Sequence, residues 1–209
     1  MAKRLTPIEW IALVAGAVIL AIGLLLFYTN KPGFDSFVQE DGIVEWLTVL
    51  GLLAGSVVCV LRFKRLYPVK SKWFLFVTAF LAFFLFFAAG EEISWGQRLI
   101  GIETPEYFQK HNAQSETNLH NLVVGGVKLN KLIFSVLLVG ALAIYLIVVP
   151  VLYHKHNPSK NFFNRSGVPV ARAYQVIGFV IVFGLTSIID DGKRAELLEC
   201  VGALLVFLI

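Results

Sequence analysis

Side chains that exchange protons or bind metal ions are concentrated in one polar stretch, residues 90–121, which reads GEEISWGQRLIGIETPEYFQKHNAQSETNLHN. Carboxylates and imidazoles exchange protons near neutral pH, and a guanidinium group binds phosphate or carboxylate oxygens through paired hydrogen bonds. A carboxylate–histidine site is therefore the chemistry that this stretch predicts. The candidate catalytic residues are Glu91, Glu92, Ser94, Arg98 and His120.

The pattern allows two forms of this site. In the metal form, carboxylates and an imidazole bind a divalent ion such as Mn, Fe, Mg or Zn, which activates water or polarises a phosphate or carbonyl. In the metal-free form, a buried carboxyl group is the general acid, His120 is the base and Arg98 holds an anionic substrate group. The candidate metal ligands are Glu92, Glu116, His120, Glu196 and Glu199, and the candidate substrate-binding residues are Trp95, Gln97, Asn118, Asn121 and Glu45.

Helical spacing places some of these groups side by side. Residues three or four apart share a helix face, so Glu91, Ser94 and Arg98 form one stripe if the preceding helix continues through them. Glu116 and His120 share a face if the TNLHN segment is helical. A purely structural interpretation also stands, in which the acids of the GEE sequence pair with nearby cations and tie helix ends together.

The elements that position these residues are predicted to be membrane helices. The 209-residue chain is 57% hydrophobic and 15% charged, with a mean hydropathy of +0.76, which excludes a soluble domain. A spanning helix needs about 20 apolar residues. The sequence therefore predicts an all-α fold, a single polytopic domain over 1–209 with about six transmembrane helices and an extracytoplasmic loop or interfacial helix between the third and fourth. The predicted spans are 8–28, 43–62, 73–90, 132–153, 168–189 and 195–209.

The distribution of charge predicts the orientation of these helices. With the N-terminus inside, the inner segments 1–7, 62–72 and 154–172 hold 11 of the 18 Lys and Arg. Cytoplasmic loops carry such an excess, so we expect a multi-pass protein of the bacterial inner membrane with a cytoplasmic N-terminus. The polar stretch then faces the extracytoplasmic side. Of the 14 acidic residues, only Glu9 lies near the inner face.

One packing motif and one resemblance add to this interpretation. Gly51 and Gly55 have GxxxG spacing in the second span, which favours close helix approach either within the chain or in a dimer. The segment GEEISWGQRLIG followed by ETNLHNL, with a weaker echo in AELLEC near the C-terminus, resembles a pattern in uncharacterised bacterial polytopic membrane proteins. The resemblance implies an inner-membrane protein and carries no activity.

Three classes of function are compatible with these features. The first is a membrane-embedded hydrolase or transferase acting on a lipid or lipid-linked substrate at the outer face, with or without a divalent metal as cofactor. The second is a non-catalytic subunit or assembly factor whose partner is another membrane protein or a second copy. The third, a small transporter or channel, is least favoured because the fourth and fifth spans carry almost no polar residues at mid-depth and the sequence has no evident internal repeat. Nucleic-acid binding is not expected, since topology accounts for the basic residues.

Overall fold

Helices make up most of the computed structural model, which describes residues 5–129 and 138–209. The elements in chain order are α1 (Pro7–Thr29), α2 (Lys31–Phe37), α3 (Ile43–Leu66), α4 (Lys72–Glu92), α5 (Gln97–Ile100), α6 (Glu106–His111), β1 (Val123–Val124), β2 (Val127–Lys128), α7 (Leu138–Lys155), α8 (Asn157–Ser166), α9 (Ala173–Ser187) and α10 (Arg194–Phe207). The two strands form a short antiparallel hairpin. The prediction of an all-α fold is therefore confirmed.

Among the residues that the structure describes, three helices are long and apolar enough to cross a membrane. They are α1, α3 and α4, with 23, 24 and 21 residues and mean hydropathies of 2.7, 2.1 and 2.2. At about 1.5 Å per residue, each is longer than the roughly 30 Å of a hydrocarbon core. Much of their apolar surface points outward, as Phe76, Phe80 and Phe83 of α4 are each more than half exposed. Such an apolar surface is stable in contact with the hydrocarbon core of a membrane and is unfavourable in contact with water.

Local sequence signals set the helix ends. Thr6 caps α1, since its hydroxyl oxygen accepts from the backbone N–H of Glu9 and the Glu9 carboxylate accepts from the backbone N–H of Thr6. Asn30 ends α1, and its side chain accepts from the Gly33 N–H at 3.1 Å to start α2. Ser71 caps α4 in the same way through the Phe74 N–H. The starts of α1 and α4 lie next to the predicted residues 8 and 73, whereas α2 was not predicted.

Helix α10 lies at the centre of the packing, against α1, α3 and α9. Its residues Leu197 and Cys200 have no exposed surface, and they join the largest buried apolar cluster. The GxxxG stripe of α3 faces this helix. A methyl group added to Gly51 would lie 3.4 Å from Ala203, and one added to Gly55 would lie 3.8 Å from Phe207 and 3.1 Å from Leu85. The small residues therefore serve packing within the chain.

The second half of the chain differs from the predicted spans. Helix α9 has 15 residues because residues 167–172 are not helical and include Pro169. Helix α8 was not predicted, and it occupies the basic connector with Pro158 in its first turn and left-handed Gly167 (φ 82°) at its end. The beginning of the predicted fourth span, 132–137, and the basic residues Lys3 and Arg4 lie outside the described residues.

Candidate functional site

The chain reverses direction directly after α4. Ser94 and Trp95 both have left-handed backbone conformations, with φ of 48° and 57°, which non-glycine residues adopt at a cost. The reversal folds the Trp95 ring back over Gly90, where an added methyl group would come within 2.8 Å of the ring. Trp95 also packs edge to face on Phe87. A glycine at position 90 is therefore needed for this close approach.

Glu91 holds the polar stretch to the end of α4. One oxygen of its carboxylate accepts from the indole N–H of Trp95 at 2.8 Å. The other accepts from the backbone N–H groups of Leu119 and His120 at 2.6 and 3.0 Å. Only 4% of Glu91 is exposed. A buried carboxylate with three donors is well compensated, so Glu91 has the contacts of a residue that positions the loop.

Ser94, Glu116 and Asn118 form a buried hydrogen-bonded triangle. The Ser94 hydroxyl donates to Glu116 at 2.6 Å, and the Asn118 amide donates to the Ser94 oxygen at 2.8 Å and to Glu116 at 3.1 Å. Asn112 supports the triangle by donating to the Asn118 side chain at 2.9 Å and accepting from the Glu116 N–H at 3.2 Å. Ser94 has no exposed surface. Its hydroxyl therefore serves the network and has no open side for a substrate.

Arg98 joins the loop to the start of α3. Its guanidinium lies 2.8 Å from Glu116 and 3.0 Å from Asp41, with Glu45 at 3.7 Å and Glu40 at 3.8 Å. The predicted stripe of Glu91, Ser94 and Arg98 on a continuous helix is not formed, because α4 ends at Glu92. With four carboxylates around it, Arg98 is matched by negative charge within the protein, whereas an anionic substrate would need it unpaired.

The remaining polar side chains of the stretch close the loop on itself. Gln97 accepts from the Thr117 N–H at 2.7 Å and donates to the Thr104 hydroxyl. Asn121 donates to Gln114, and its backbone N–H donates to Asn118 at 3.0 Å. Gln97, Asn118 and Asn121, predicted to bind substrate, are thus engaged in loop contacts. Trp95 is 43% exposed and remains accessible.

His120 lies at the same end of the molecule but is not placed by a helix. The TNLHN segment is irregular, so the predicted helical face shared by Glu116 and His120 is wrong. The two residues are nevertheless neighbours, because the charges of Glu91 and Glu116 both act on the imidazole. The larger influence is burial, which lowers the pKa of His120 below its usual 6.5 because imidazolium is poorly solvated there. Burial therefore favours the neutral form of the His120 imidazole, while the two carboxylates favour the protonated form.

A second group of acids lies between the ends of three helices. Glu92 of α4 lies within electrostatic range of Glu196, and Glu199 of α10 lies within range of both. Glu45 of α3 joins this group to the loop network, since one of its oxygens accepts from the Asp41 N–H at 2.6 Å. Its other oxygen is buried and accepts no hydrogen bond from the residues described. The helix ends thus gather acids that are far apart in the sequence.

This second group, which we call the acidic cluster (Glu92, Glu196 and Glu199), differs from the loop network in its partners. In the part of the chain that the structure describes, none of the three side chains makes a hydrogen bond or an ion pair. The charge of Lys193 acts on Glu196, but its ammonium nitrogen lies 3.7 Å from the Asp35 carboxylate. The acidic cluster therefore combines half-buried carboxyl groups with the lack of a hydrogen-bond or ion-pair partner among the described residues.

The predicted metal ligands are divided between the loop network and the acidic cluster. Glu116 and His120 belong to the loop network, whereas Glu92, Glu196 and Glu199 form the acidic cluster. Within residues 5–129 and 138–209, no three His, Cys, Asp or Glu side chains are placed to hold a metal ion together. The predicted five-residue ligand set is thus not assembled, because the loop fold directs Glu116 towards Arg98.

Sequence reasoning missed three residues of the loop network. Asn112 is 7% exposed and organises both Asn118 and Glu116, yet it stands in a polar run with no spacing signal. Asp41 and Glu40 approach Arg98 from another part of the chain. Both residues lie near the start of α3, at the same end of the molecule as the polar stretch. This position was the signal from which their contact with Arg98 could have been predicted.

Comparison with known proteins adds no family to these findings. No protein-family model, no curated protein and no solved structure shows significant similarity to the chain. What the site does is therefore inferred from its own residues.

Proposed function

We propose that the protein is a membrane-embedded enzyme, a hydrolase or transferase, that acts on a lipid or lipid-linked substrate. The observation that carries this proposal is the acidic cluster. Three half-buried carboxyl groups approach one another from α4 and α10, and none of them makes a hydrogen bond or an ion pair with the described residues. Retaining such a group is costly in a membrane protein, and intramembrane ionisable residues mark functional sites by default.

The chemistry follows from the types of group in the acidic cluster. Interacting carboxyl groups titrate as a set, so a proton taken up by the set can be passed to a leaving group while another member accepts one from water. In this proposal Glu92 is the general acid and Glu199 the general base. Glu91, Ser94 and Arg98, which began as catalytic candidates, become positioning residues because their polar atoms are engaged in the loop network.

The membrane setting supports a lipid substrate. In the proposed topology six helices cross the inner membrane with the N-terminus inside, which places the acidic cluster near the extracytoplasmic boundary. Glu92 is the last residue of α4, and Glu196 lies in the first turn of α10. A lipid headgroup lies at the same depth and reaches such a site by lateral diffusion.

A turnover assay tests the proposal. The protein is reconstituted in vesicles of phosphatidylethanolamine and phosphatidylglycerol that contain a polyprenyl-phosphate-linked sugar, and mass spectrometry follows each lipid. The expected result is that Glu92→Gln and Glu199→Gln each lower turnover by about 100-fold or more, the usual size of a general acid–base contribution. The matched control is Glu103→Gln, an exposed acid outside the acidic cluster.

Two results would overturn the enzyme proposal. One is turnover that survives the combined change of Glu92, Glu196 and Glu199 to Gln. The other is a folded wild-type protein that alters no lipid in a complete inner-membrane extract. Metal analysis of the same preparations supplies a second readout, because metal that is bound by wild type and lost in Glu92→Gln would assign a metal to the acidic cluster.

The second candidate is a subunit of a membrane complex, and one surface favours it. Along α4, Trp73, Phe76, Phe80 and Phe84 stack in sequence with centroid distances of 5.7, 6.4 and 6.3 Å, and all are about half exposed. A rigid aromatic row of this kind suits packing against another helix. Stoichiometric co-purification that is lost in Phe80→Ala with Phe84→Ala, and retained in Glu92→Gln and in the α1 control Ile11→Ala, would favour this role.

A further inference from the structure

The end of the molecule opposite the acidic cluster carries unpaired positive charge. The cations there lie at the end of α3, in the α3–α4 connector, at the start of α4, at the end of α7 and in α8. We call them the cationic surface: Arg62, Lys64, Arg65, Lys70, Lys72, Lys155, Lys160 and Arg165. In residues 5–129 and 138–209, none of the eight makes an ion pair.

The reason for the missing partners lies in the sequence. No acidic residue occurs between Trp46 and Gly90, and none occurs between Leu122 and Ile189. The single acid at this end, Glu9, already pairs with Arg172 at 2.9 Å and accepts from the Tyr174 hydroxyl at 2.8 Å. The charge of the cationic surface must therefore be balanced by something outside the chain.

Helix α8 gives this surface an apolar edge. Its sequence, NPSKNFFNRS, places exposed Phe162 between the cations Lys160 and Arg165. The Tyr153 hydroxyl donates to the Asn164 side chain at 3.1 Å and fixes α8 against the end of α7. A short helix with aromatic and basic side chains suits the boundary between headgroups and acyl chains.

Phe74 contacts both the α3–α4 side and the α8 side of the cationic surface. The guanidinium carbon of Arg62 and the ammonium nitrogen of Lys70 lie 5.3 and 5.0 Å from the centre of the Phe74 ring. Gly167, which follows α8, packs against the same residue. A methyl group added to Gly167 would lie 2.8 Å from the Phe74 carbonyl oxygen. The connector and α8 are therefore parts of a single surface held at a fixed geometry.

We propose that the cationic surface binds anionic phospholipid headgroups. Charge complementarity, together with the exposed Phe162, selects this occupant. Cations beside a spanning helix attract anionic lipid from within the bilayer, and the aromatic side chain enters the acyl region, which an aqueous anion does not offer. The proposal goes beyond the proposed enzyme activity, because it concerns the opposite end of the molecule.

Lipid retention tests the proposal on the full-length protein. The protein is purified in neutral detergent, incubated with equal amounts of phosphatidylglycerol and phosphatidylcholine, and examined by native mass spectrometry. Wild type is expected to retain phosphatidylglycerol at least threefold over phosphatidylcholine. Lys160→Gln with Arg165→Gln, and Lys64→Gln with Arg65→Gln, are each expected to reduce this preference towards one.

The control and a second measurement keep the outcomes decisive. Lys110→Gln with Lys193→Gln removes two exposed cations from the other end of the molecule and should leave the preference unchanged. For wild type alone, raising the salt from 0.05 to 0.5 M should weaken phosphatidylglycerol retention, because the Debye length falls from more than about 10 Å to well below it. Equal retention of both lipids, salt-independent retention, or an effect of the control as large as that of the α8 variant would overturn the proposal.

Discussion

Glu91 and Glu92 are adjacent in the sequence and belong to two different regions of the molecule. Glu91 is 4% exposed and accepts three hydrogen bonds, two of them from backbone N–H groups 28 and 29 residues further along the chain. Glu92 faces Glu196 and Glu199 and receives no hydrogen bond from the described residues. One carboxylate organises structure, and the other is left available.

The two residues differ in whether the fold supplies partners for the carboxyl group. In the loop network, every carboxylate that is buried next to Arg98 or Ser94 has a charged or hydrogen-bonding partner, which offsets the cost of burial. In the acidic cluster the protein supplies no such offset. Buried carboxyl groups that the fold leaves without a partner are what the proposed proton exchange requires.

The sharpest test of this comparison changes the two neighbours one at a time. Glu91→Gln is expected to lower the free energy of unfolding by about 3 kcal/mol. The side-chain nitrogen of the glutamine cannot accept a hydrogen bond, so at least one of the buried N–H groups loses its partner. Glu92→Gln loses no hydrogen bond and is expected to be neutral or slightly stabilising. Thermal unfolding of both variants in the same detergent measures the difference. Equal destabilisation would remove the distinction between the two regions.

The next largest effect is expected at Arg98. Arg98→Gln leaves Glu116 and Asp41 without their cation and is expected to cost about 2 kcal/mol, reduced from the value for a fully buried pair because the arginine is 32% exposed. Denaturant titration of the reconstituted protein provides the measurement. Lys110→Gln, which breaks an exposed pair with Glu106, is the control and should show no measurable change. A variant of Arg98 as stable as that control would show that the loop is held by its hydrogen bonds alone.

A substitution of Ser94 tests whether the loop network has a structural role only. Ser94→Ala removes a donor to Glu116 and an acceptor for Asn118, and the expected cost is about 1–2 kcal/mol. Lipid turnover in vesicles should remain within about threefold of wild type, an expectation that follows from Ser94 being a positioning residue. A loss of turnover by several hundred-fold in a folded protein would instead assign Ser94 a chemical role.

The smallest effect is expected in the pH dependence due to His120. Burial lowers its folded-state pKa below the usual 6.5, so as the pH falls the unfolded chain takes up a proton that the folded chain does not. Stability that is fully present above about pH 6.5 is therefore lost as the pH falls below it. The unfolding midpoint should decrease between pH 7.5 and 5.5 by less in His120→Gln than in wild type. His111→Gln, an exposed histidine on α6, should behave as wild type does.

Much of the fold could be predicted because its signals are local. Runs of apolar residues predicted α1, α3 and α4 to within a few residues at each end. Helix α8 could not be predicted in the same way, since ten mostly polar residues between apolar runs read as a connector. The sequence also indicated that the polar stretch and the start of α3 lie at the same end of the molecule, but it did not indicate which side chains pair there. Trp95 folds over Gly90, and this reversal, which no periodicity signals, decides what Glu91 and Ser94 contact.

Composition by itself determined that this chain forms apolar helices, because a backbone in hydrocarbon must satisfy its own hydrogen bonds and a helix does so within one segment. The positions of the charged residues between the apolar runs determined that the acids gather at one end of the helices and the basic connectors at the other. Only the tertiary structure decided that Glu91 serves the loop while Glu92 meets Glu196 and Glu199. Successive residues on a helix point about 100° apart. What each one meets therefore depends on segments that are distant in the sequence and close only in the folded chain.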